Sequence, residues 1–215
     1  MTPLLGIYGG TFDPVHRGHL AMAVYARWRL QLSRVHLVVA AVPPHRPQPV
    51  LPAAERLRLL QRAVRDVPGL LADDCELRRL GPSYTVATLE WFRRRHPRHR
   101  LVLLLGADAC AGLSRWHRAE RLAALCHLAV LRRPGSRCLP RQVPGFTPVP
   151  PGQANRLFRR RQAGCAVWLN NPLHSVSATE IRRRWQQGLA LADRLPSGVE
   201  PAYCRAMNTI DSSPR

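Results

Sequence analysis

GGTFDPVHRGHL, residues 9–20, is the stretch that decides the fold of this chain. A short apolar run at residues 4–8 precedes it, and an Ala-rich segment with apolar residues at four-residue spacing follows. This order predicts a strand, a glycine turn, a loop with two histidines and the start of a helix. Such a junction suits a phosphate group, because glycines let the backbone approach closely and a helix N-terminus offers unpaired N–H groups. His16 and His19 can add side-chain donors to phosphate oxygens.

Strand and helix patterns alternate along the rest of the chain. Continuous apolar runs at residues 35–42, 101–105 and 127–131 are typical of strands buried on both faces. Alternating units of this kind predict an α/β fold, a Rossmann-like doubly wound parallel sheet. Shorter strands are predicted at residues 70–77 and 166–169, helices at 18–32, 52–67, 83–95, 118–125 and 177–187, and irregular Pro-rich chain at 136–152.

The length of 215 residues and the hydrophobic fraction of 46% fit one domain with a real core. We predict that this domain spans residues 1–207, with a small C-terminal helical part at about residues 177–207. Residues 208–215 are predicted to be a flexible tail. The sequence leaves the oligomeric state open, a homo-oligomer included.

The chain carries 33 basic and 13 acidic residues, a formal net charge of +20, and it contains no lysine. One interpretation is a compositional bias that places arginine at ordinary surface positions, and the other is a site for polyanions. A nucleic-acid footprint usually clusters on one face, whereas the arginine runs at residues 93–95, 159–161 and 182–184 are dispersed. The charge alone therefore does not distinguish the two interpretations, and no nucleic-acid partner is expected.

The six cysteines form no C-x-x-C pair and show no zinc-type spacing with histidine. They are predicted to be reduced and mostly buried, and no metal-ligand set is predicted. The N-terminus shows no basic segment ahead of a long apolar one, and no apolar run reaches membrane-spanning length. We therefore expect a cytoplasmic protein without a membrane partner.

Glycine and charged residues collect where the predicted strands end. Residues 9–19, 43–46, 106–108 and 132–133 all follow such a strand, and ligands of parallel sheets sit at the carboxyl ends of the strands. Taken alone, the two histidines also fit polar loop residues or part of a metal site, and residues 177–180 also fit an ordinary helix cap. A P-loop is excluded, because its motif requires lysine.

Residues 9–20 and the later Ser-x-Thr-x-Ile-Arg segment at residues 177–182 resemble the signature of the nucleotidyltransferase superfamily. Its members transfer a nucleotide from a nucleoside triphosphate and release pyrophosphate. The resemblance implies a fold of the nucleotidyltransferase type, His16, His19 and Arg182 as catalytic residues, and Mg²⁺ carried by ATP. Asp13 is expected to structure the loop rather than to bind metal. The ATP-binding residues that it implies are Gly9, Gly10, Thr11, His16, Gly18, His19, Gly106, Asp108, Ser177, Thr179 and Arg182.

Four further features follow one another along the chain: VPPHR at residues 42–46, PSYTVATL at 82–89, GAD at 106–108, and Trp116. Together with the two earlier motifs, they closely resemble the bacterial nicotinate-nucleotide adenylyltransferases over residues 7–203. The resemblance implies transfer of AMP from ATP to nicotinate mononucleotide, which gives nicotinate adenine dinucleotide and pyrophosphate in NAD biosynthesis. The acceptor-binding residues that it implies are His45, Arg46, Ser83, Tyr84, Thr85, Trp116 and Arg133.

Within this resemblance, backbone N–H groups around Tyr84 and Thr85 would receive the nicotinate carboxylate, and Trp116 would stack on the pyridine ring. Two alternatives stay open. One is the same chemistry on nicotinamide mononucleotide or another phosphorylated acceptor. The other is a basic nucleic-acid-binding module without catalysis.

Overall fold

One parallel sheet organises the molecule, and the computed structural model describes residues 2–44 and 48–211 of it. All of the strand pairs in the sheet run parallel, in the spatial order 3-2-1-4-5-7-6 when the strands are numbered along the chain. The Rossmann-like doubly wound α/β fold is thereby confirmed. The strands are β1 (Leu4–Gly10), β2 (Arg34–Val39), β3 (Leu70–Asp73), β4 (Arg100–Gly106), β5 (His127–Leu131), β6 (Thr147–Pro148) and β7 (Cys165–Leu169).

Helices cover both faces of the sheet, and each face has its own apolar core. The alternation within β1 shows why, since Leu4 and Tyr8 enter one core while Leu5 and Ile7 enter the other. A strand buried on both sides reads as a continuous apolar run, which is the pattern that predicted it. The helices are α1 (Arg17–Leu30), α2 (Ala53–Val64), α3 (Thr85–Arg95), α4 (Ala107–Cys110), α5 (Leu122–Leu125), α6 (Ala154–Arg160), α7 (Ala178–Gln186) and α8 (Glu200–Asp211).

The structure differs from the sequence predictions mainly at the ends of elements and in the Pro-rich region. Strand β2 ends at Val39, before the predicted end at residue 42, because residues 40–42 turn away toward the following loop. The region predicted to be irregular contains the two-residue strand β6, which is too short to produce a period. Helix α6 was not predicted, because its seven residues offer only Ala154, Leu157 and Phe158 as apolar positions.

The prediction that all six cysteines are reduced is wrong for one pair. Cys110 and Cys138 form a disulfide, with their Cα atoms 5.8 Å apart. The two residues are separated by 28 positions, and the fold brings α4 and the chain after β5 together at the same edge of the sheet. Spacing along the sequence therefore could not reveal the pair. The remaining cysteines are free, and Cys75, Cys126 and Cys165 are buried.

The order of the strands determines where a ligand can bind. From β1 the chain moves to β2 and β3 on one side, and it then returns to β4 on the other side of β1. The connections after β1 and β4 therefore diverge and leave a crevice at their carboxyl ends. None of the helices in the described residues is long and apolar enough to cross a membrane.

Candidate active site

A cavity of about 1060 Å³ opens at the carboxyl ends of β1 and β4. Of the predicted site residues other than His45 and Arg46, all except Gly18 line this cavity. His45 and Arg46 lie outside the described residues. Gly18 lies in close contact with residues of the site, because a Cβ atom there would approach Val176 Cγ1 to 2.9 Å and His16 Nδ1 to 3.1 Å. The sequence thus located residues that the fold brings to one place.

The loop between β1 and α1 has an unusual backbone that shapes the floor of the cavity. Phe12 adopts a φ of 50°, in the left-handed region that bulky residues rarely occupy. Its ring is buried, and a Cβ atom on Gly10 would meet Phe12 Cζ at 2.9 Å. Gly10 is therefore required for the close approach of this ring. The turn brings the ring edge-on to His19, with centroids 5.0 Å apart.

His16 and His19 form one unit at the start of α1. Their rings stack with centroids 3.6 Å apart and planes inclined by 21°. The backbone N–H of His16 donates to Nδ1 of His19 over 3.3 Å. Because Nδ1 of His19 is an acceptor, the neutral form of this side chain carries its proton on Nε2. The helix start thus fixes the tautomer of the histidine that the resemblance assigns to phosphate.

His16 is the N-cap residue of α1 and is only 2% exposed. Burial lowers its pKa to about 3, and the positive charges of Arg133 and His174 add to this effect. The side chain is therefore neutral at physiological pH. Within the described part of the chain, Nδ1 of His16 is buried and has no hydrogen-bond partner. A buried polar atom without a partner costs free energy, and a hydrogen bond to a bound polar group would remove that cost.

Arg182 connects α7 to the loop after β1. Its Nη1 donates to the Asp13 carbonyl oxygen over 2.6 Å and lies 3.7 Å from Asp13 Oδ2. The Asp13 carboxylate accepts the backbone N–H groups of Val50 and Leu51 at 2.8 and 3.0 Å. Asp13 therefore structures the loop, as expected. Arg182 is held at the cavity wall by these contacts and by Thr179, whose Oγ1 lies 3.3 Å from Nη2.

The start of α7 opens into the same cavity. Ser177 is its N-cap residue, and its Oγ accepts the Glu180 N–H over 3.2 Å. This hydrogen bond confirms the predicted helix cap at Ser177. The Glu180 carboxylate instead pairs with Arg183 at 2.7 Å. The first N–H groups of α7 have no partner inside the helix, so this end suits an anion.

The predicted acceptor residues surround the start of α3. Tyr84 is its N-cap residue, and the Tyr84 ring stacks on His117 with centroids 4.1 Å apart and an interplanar angle of 22°. The Tyr84 N–H donates to the Pro82 carbonyl over 2.9 Å. Thr85 and Trp116 line the cavity on this side, and the Trp116 side chain is half-buried. This wall offers aromatic faces and a helix N-terminus.

The Ser83 hydroxyl stabilises the backbone of the cavity wall. Its Oγ accepts the N–H groups of Ala41 and Val42 at 2.9 and 3.2 Å, and the Ser83 N–H donates back to the Val42 carbonyl at 2.9 Å. Ser83 therefore fixes the turn after β2. The sequence predicted that Ser83 binds the acceptor. It could not reveal this structural role, because the partners of the hydroxyl are backbone atoms.

Asp108 and Arg133 face each other across the carboxyl ends of β4 and β5. The Arg133 Nε atom lies 3.7 Å from Asp108 Oδ1, which is longer than a hydrogen bond. The Asp108 side chain is 39% exposed, whereas Arg133 Nε is buried and has no hydrogen-bond partner in the described residues. A ligand phosphate or ribose could therefore recruit either partner at small cost.

Two residues of the site were not found from the sequence. His117 lines the cavity beside Trp116, but an exposed histidine in a loop gives no sequence signal. Arg56 lies beneath the cavity wall and is 1% exposed. A signal for it does exist, since Arg56 falls at helical spacing with the buried residues Leu59, Leu60 and Ala63. An arginine within an apolar stripe implies a buried partner set.

Across residues 2–44 and 48–211, no three His, Cys, Asp or Glu side chains group in a way that could hold a metal ion. The two carboxylates that line the cavity are Asp13 and Asp108. The first is engaged by Val50, Leu51 and Arg182, and the second faces Arg133. A divalent cation would therefore enter with phosphate oxygens as its main ligands.

Comparisons with known proteins show what this chain is similar to. The cytidylyltransferase-like family matches residues 7–184. A protein of Chromohalobacter salexigens, described as a probable nicotinate-nucleotide adenylyltransferase, is 41% identical over 202 residues, which cover 91% of this chain and 91% of the relative. A Serratia proteamaculans protein of the same description is 39% identical and covers 93% and 92%.

Solved structures show the same fold. Plasmodium falciparum nicotinic acid mononucleotide adenylyltransferase, complexed with NaAD, superposes with a TM-score of 0.73. The superposition covers 98% of this chain and 98% of that protein, at 15% sequence identity. At this level of identity, the likeness supports the architecture of the sheet and its helices.

Proposed function

Because this chain belongs to the cytidylyltransferase-like family and, within it, to the nicotinate-nucleotide adenylyltransferases, we propose that it joins AMP from ATP to nicotinate mononucleotide. The products are nicotinate adenine dinucleotide and pyrophosphate, in a step of NAD biosynthesis. One observation carries the proposal. The histidine pair, the start of α7 with Arg182, and the start of α3 with Trp116 all line a single cavity at the point where the strand order reverses.

The reaction is a displacement at the α-phosphorus of ATP. An oxygen of the mononucleotide phosphate forms a bond to that phosphorus, and the bond to the bridging oxygen of pyrophosphate breaks, so that pyrophosphate leaves with the electron pair. No protein group needs to form a covalent bond. Catalysis is therefore positioning of the two phosphates together with stabilisation of the negative charge that develops between them.

The histidine pair suits the phosphate that reacts. His19 carries its proton on Nε2, because Nδ1 accepts the His16 N–H, and Nε2 would donate to an α- or β-phosphate oxygen. His16 stays neutral in its buried position and would offer Nδ1, which no protein group engages in the described residues, to the same anion. Thr11, with Gly9 and Gly10, would supply hydroxyl and backbone contacts along the triphosphate.

The triphosphate tail would lie against the start of α7. Ser177 and Thr179 place hydroxyl groups at the cavity surface, and the first N–H groups of α7 point toward the same space. Arg182 supplies positive charge there and is oriented by Asp13. Through its contact with Asp13, the guanidinium of Arg182 lies beside the loop that carries the histidines. Gly106 and Asp108 would meet the nucleotide from the end of β4.

Acceptor recognition would fall to the start of α3 and to Trp116. The Tyr84 N–H already donates to Pro82, whereas Thr85 is the first residue of α3 and its N–H has no partner within the helix. The nicotinate carboxylate would accept this N–H, and Trp116 would stack on the pyridine ring. Arg133 is a candidate for the acceptor phosphate, and residues 45 and 46 stay predicted contacts of the acceptor.

Mg²⁺ belongs to this proposal as part of the ATP substrate. The donor set agrees with that assignment, because Asp13 and Asp108 are engaged by protein groups and the triphosphate oxygens would supply the main ligands. Bound in this way, Mg²⁺ neutralises charge on the leaving pyrophosphate. We further propose a cytoplasmic location and ATP and nicotinate mononucleotide as partners, without nucleic acid, in a monomer or a homo-oligomer.

A pyrophosphate-release assay tests the proposed function. Purified chain with MgATP is offered nicotinate mononucleotide, nicotinamide mononucleotide, phosphopantetheine and nicotinate riboside in turn. We expect turnover with the first compound and none with the riboside, which lacks the attacking phosphate. No release with any phosphorylated acceptor would contradict adenylyl transfer.

The ratio of the two pyridine mononucleotides tests the acceptor. An amide in place of the carboxylate loses a charge-assisted hydrogen bond, so we expect kcat/KM to be at least about 100-fold lower for nicotinamide mononucleotide. Equal values would contradict recognition of the carboxylate and would favour the alternative acceptor. Chromatography of the products identifies the dinucleotide that forms.

A further inference from the structure

Arg56 is a buried cation that none of the catalytic or binding assignments uses. It lies in α2, and its side chain is among the largest that are fully buried, at 1% exposure. Burial lowers its pKa, and the negative charge of Asp13 acts in the opposite direction. A buried guanidinium is costly unless its donors are satisfied, so its partners reveal what it does.

The donors of Arg56 reach backbone carbonyls on three separate segments. Nε donates to the Leu51 carbonyl at 3.0 Å, just ahead of α2. Nη1 donates to the carbonyls of Thr11 and Ala40, both at 2.7 Å, and Nη2 reaches the Ala41 carbonyl at 3.4 Å. Thr11 belongs to the loop that would receive the triphosphate. Residues 40–41 follow β2 and lead to the predicted acceptor motif at residues 42–46.

The turn after β2 is held from two sides. Arg56 donates to the carbonyls of Ala40 and Ala41, while Ser83 Oγ accepts the N–H groups of Ala41 and Val42. Ser83 directly precedes the start of α3, where the acceptor would bind. The carbonyl groups of the turn are therefore hydrogen-bonded to α2, and its N–H groups are hydrogen-bonded to the segment ahead of α3.

We infer that Arg56 is a positioning residue that couples the ATP side of the cavity to the acceptor side. By binding Thr11 and residues 40–41 with one rigid, planar group, it sets the distance between the two halves across which the phosphates must meet. This inference rests on the proposed function, which supplies the two substrates. Arg56 itself lies outside the cavity lining that the described residues form, so its effect reaches the substrates through the backbone.

The geometry requires a guanidinium and not simply a positive charge. A planar fork can bind carbonyls that lie in several directions, whereas an ammonium on a flexible stem ends at a single nitrogen. An Arg56→Lys variant keeps the charge and most of the apolar stem. It cannot reach the carbonyls at Leu51, Thr11 and Ala40 together. This substitution therefore removes the coupling with the least disturbance to the core.

The matched control is Arg58, on the same helix. Its side chain is 69% exposed and pairs with Glu55. For R56K we expect kcat/KM to fall by about 100-fold for both ATP and the mononucleotide, since a displacement of about 1 Å can cost that much. R58K is expected to stay within about twofold of the wild type, because exposed ion pairs contribute little. Steady-state kinetics with each substrate varied in turn, and thermal midpoints of all variants, measure these effects.

The pattern of losses separates positioning from stability. Coupling predicts that the KM values of both substrates rise and kcat falls at a temperature well below the R56K midpoint. It also predicts that Ser83→Ala and R56K are non-additive, because both act on the same turn. A lower midpoint with unchanged kinetics, a loss confined to one substrate, or an R56K chain that does not fold would each overturn the inference. The wild-type assay decides the proposed function separately, since it does not depend on Arg56 variants.

Discussion

The two halves of the cavity are built in different ways. On the ATP side, His16 is 2% exposed, its ring stacks on His19 at 3.6 Å, and Arg182 is bonded to the Asp13 backbone. On the acceptor side, Trp116 is half-buried, His117 is exposed, and the Nε atom of Arg133 stays 3.7 Å from Asp108 Oδ1 on the ATP side, beyond hydrogen-bond distance. The half that would perform the chemistry is preorganised by buried contacts. The half that would bind the acceptor consists mainly of partly exposed side chains. Substitutions should therefore act on turnover in the first half and on affinity in the second.

His19→Ala should produce the largest effect. It removes the Nε2 donor aimed at the reacting phosphate, and removal of one such donor costs about 100- to 1,000-fold in kcat. The fold should be retained, because α1 keeps its N-cap residue. Turnover with saturating ATP and mononucleotide measures the loss. His99→Ala is the control, because His99 directly precedes β4 at the amino end of the sheet and does not line the cavity. Near-normal turnover of H19A would remove His19 from the phosphate site.

Arg182→Ala should follow, with a loss of about 100-fold in kcat/KM for ATP. The substitution removes a guanidinium from the triphosphate side and frees the Asp13 carbonyl that it binds at 2.6 Å. Arg183, the next residue of α7, pairs with Glu180 and is the matched control. Kinetics with ATP varied distinguish the two. A loss that falls mainly on the mononucleotide KM would reverse the assignment of the two halves.

The burial of His16 should make the ATP side sensitive to acid. Its pKa is about 3 in the folded chain and about 6.5 when unfolded, so between these values the unfolded chain binds more protons. The free energy of unfolding therefore falls as the pH drops from about 6.5 toward 3, and this penalty is absent above about pH 6.5. From pH 7.5 to 4.5 it amounts to about 2–3 kcal/mol.

His16→Asn tests this origin, because asparagine is a favourable N-cap residue and does not titrate. Denaturant unfolding at pH 7.5 and 4.5 should show a smaller loss of stability in H16N than in the wild type. An equal loss in both chains would mean that His16 is not the titrating group. The measurement concerns stability alone, so the activity of H16N does not enter.

Trp116→Ala should have the smallest effect, a rise of about tenfold in the mononucleotide KM, or about 1.4 kcal/mol. Neither kcat nor the KM for ATP should change by more than about twofold, because an open aromatic wall contributes contact area without orienting the phosphates. Trp28→Ala is the matched control, since Trp28 is 72% exposed on α1. A change confined to ATP would show that Trp116 belongs to the other half.

Much of the fold could be predicted, because buried parallel strands have a strong local signature. The runs that became β1, β4 and β5 are mostly apolar, and the glycines that end β1 and β4 mark the edge where ligands bind. Strand β6 and helix α6 gave no such signature, since two residues and less than two full turns are too short for a period to show.

The side chains of the site were predicted, but the hydrogen bonds that some side chains make to the backbone of other segments were not. Ser83 looks like a ligand-binding serine in the sequence, yet its hydroxyl binds N–H groups of Ala41 and Val42. The helical spacing of Arg56 indicates a buried position, yet the carbonyl groups that it binds cannot be identified from the sequence. Backbone atoms are identical at every position, so a motif cannot show which of them a side chain will meet. The Cys110–Cys138 pair was missed for a related reason, because only the fold brings the two segments together.

The partners of Arg56 have a consequence for how such a chain can diverge. Its bonds run to the carbonyl oxygens of residues 11, 40, 41 and 51, which every amino acid possesses. Neighbours could therefore be exchanged freely while the link between the halves stayed intact. In an alignment of relatives, this link would leave one arginine and no correlated substitutions around it. Pairwise covariation would therefore not detect the contact that joins the two halves of the cavity.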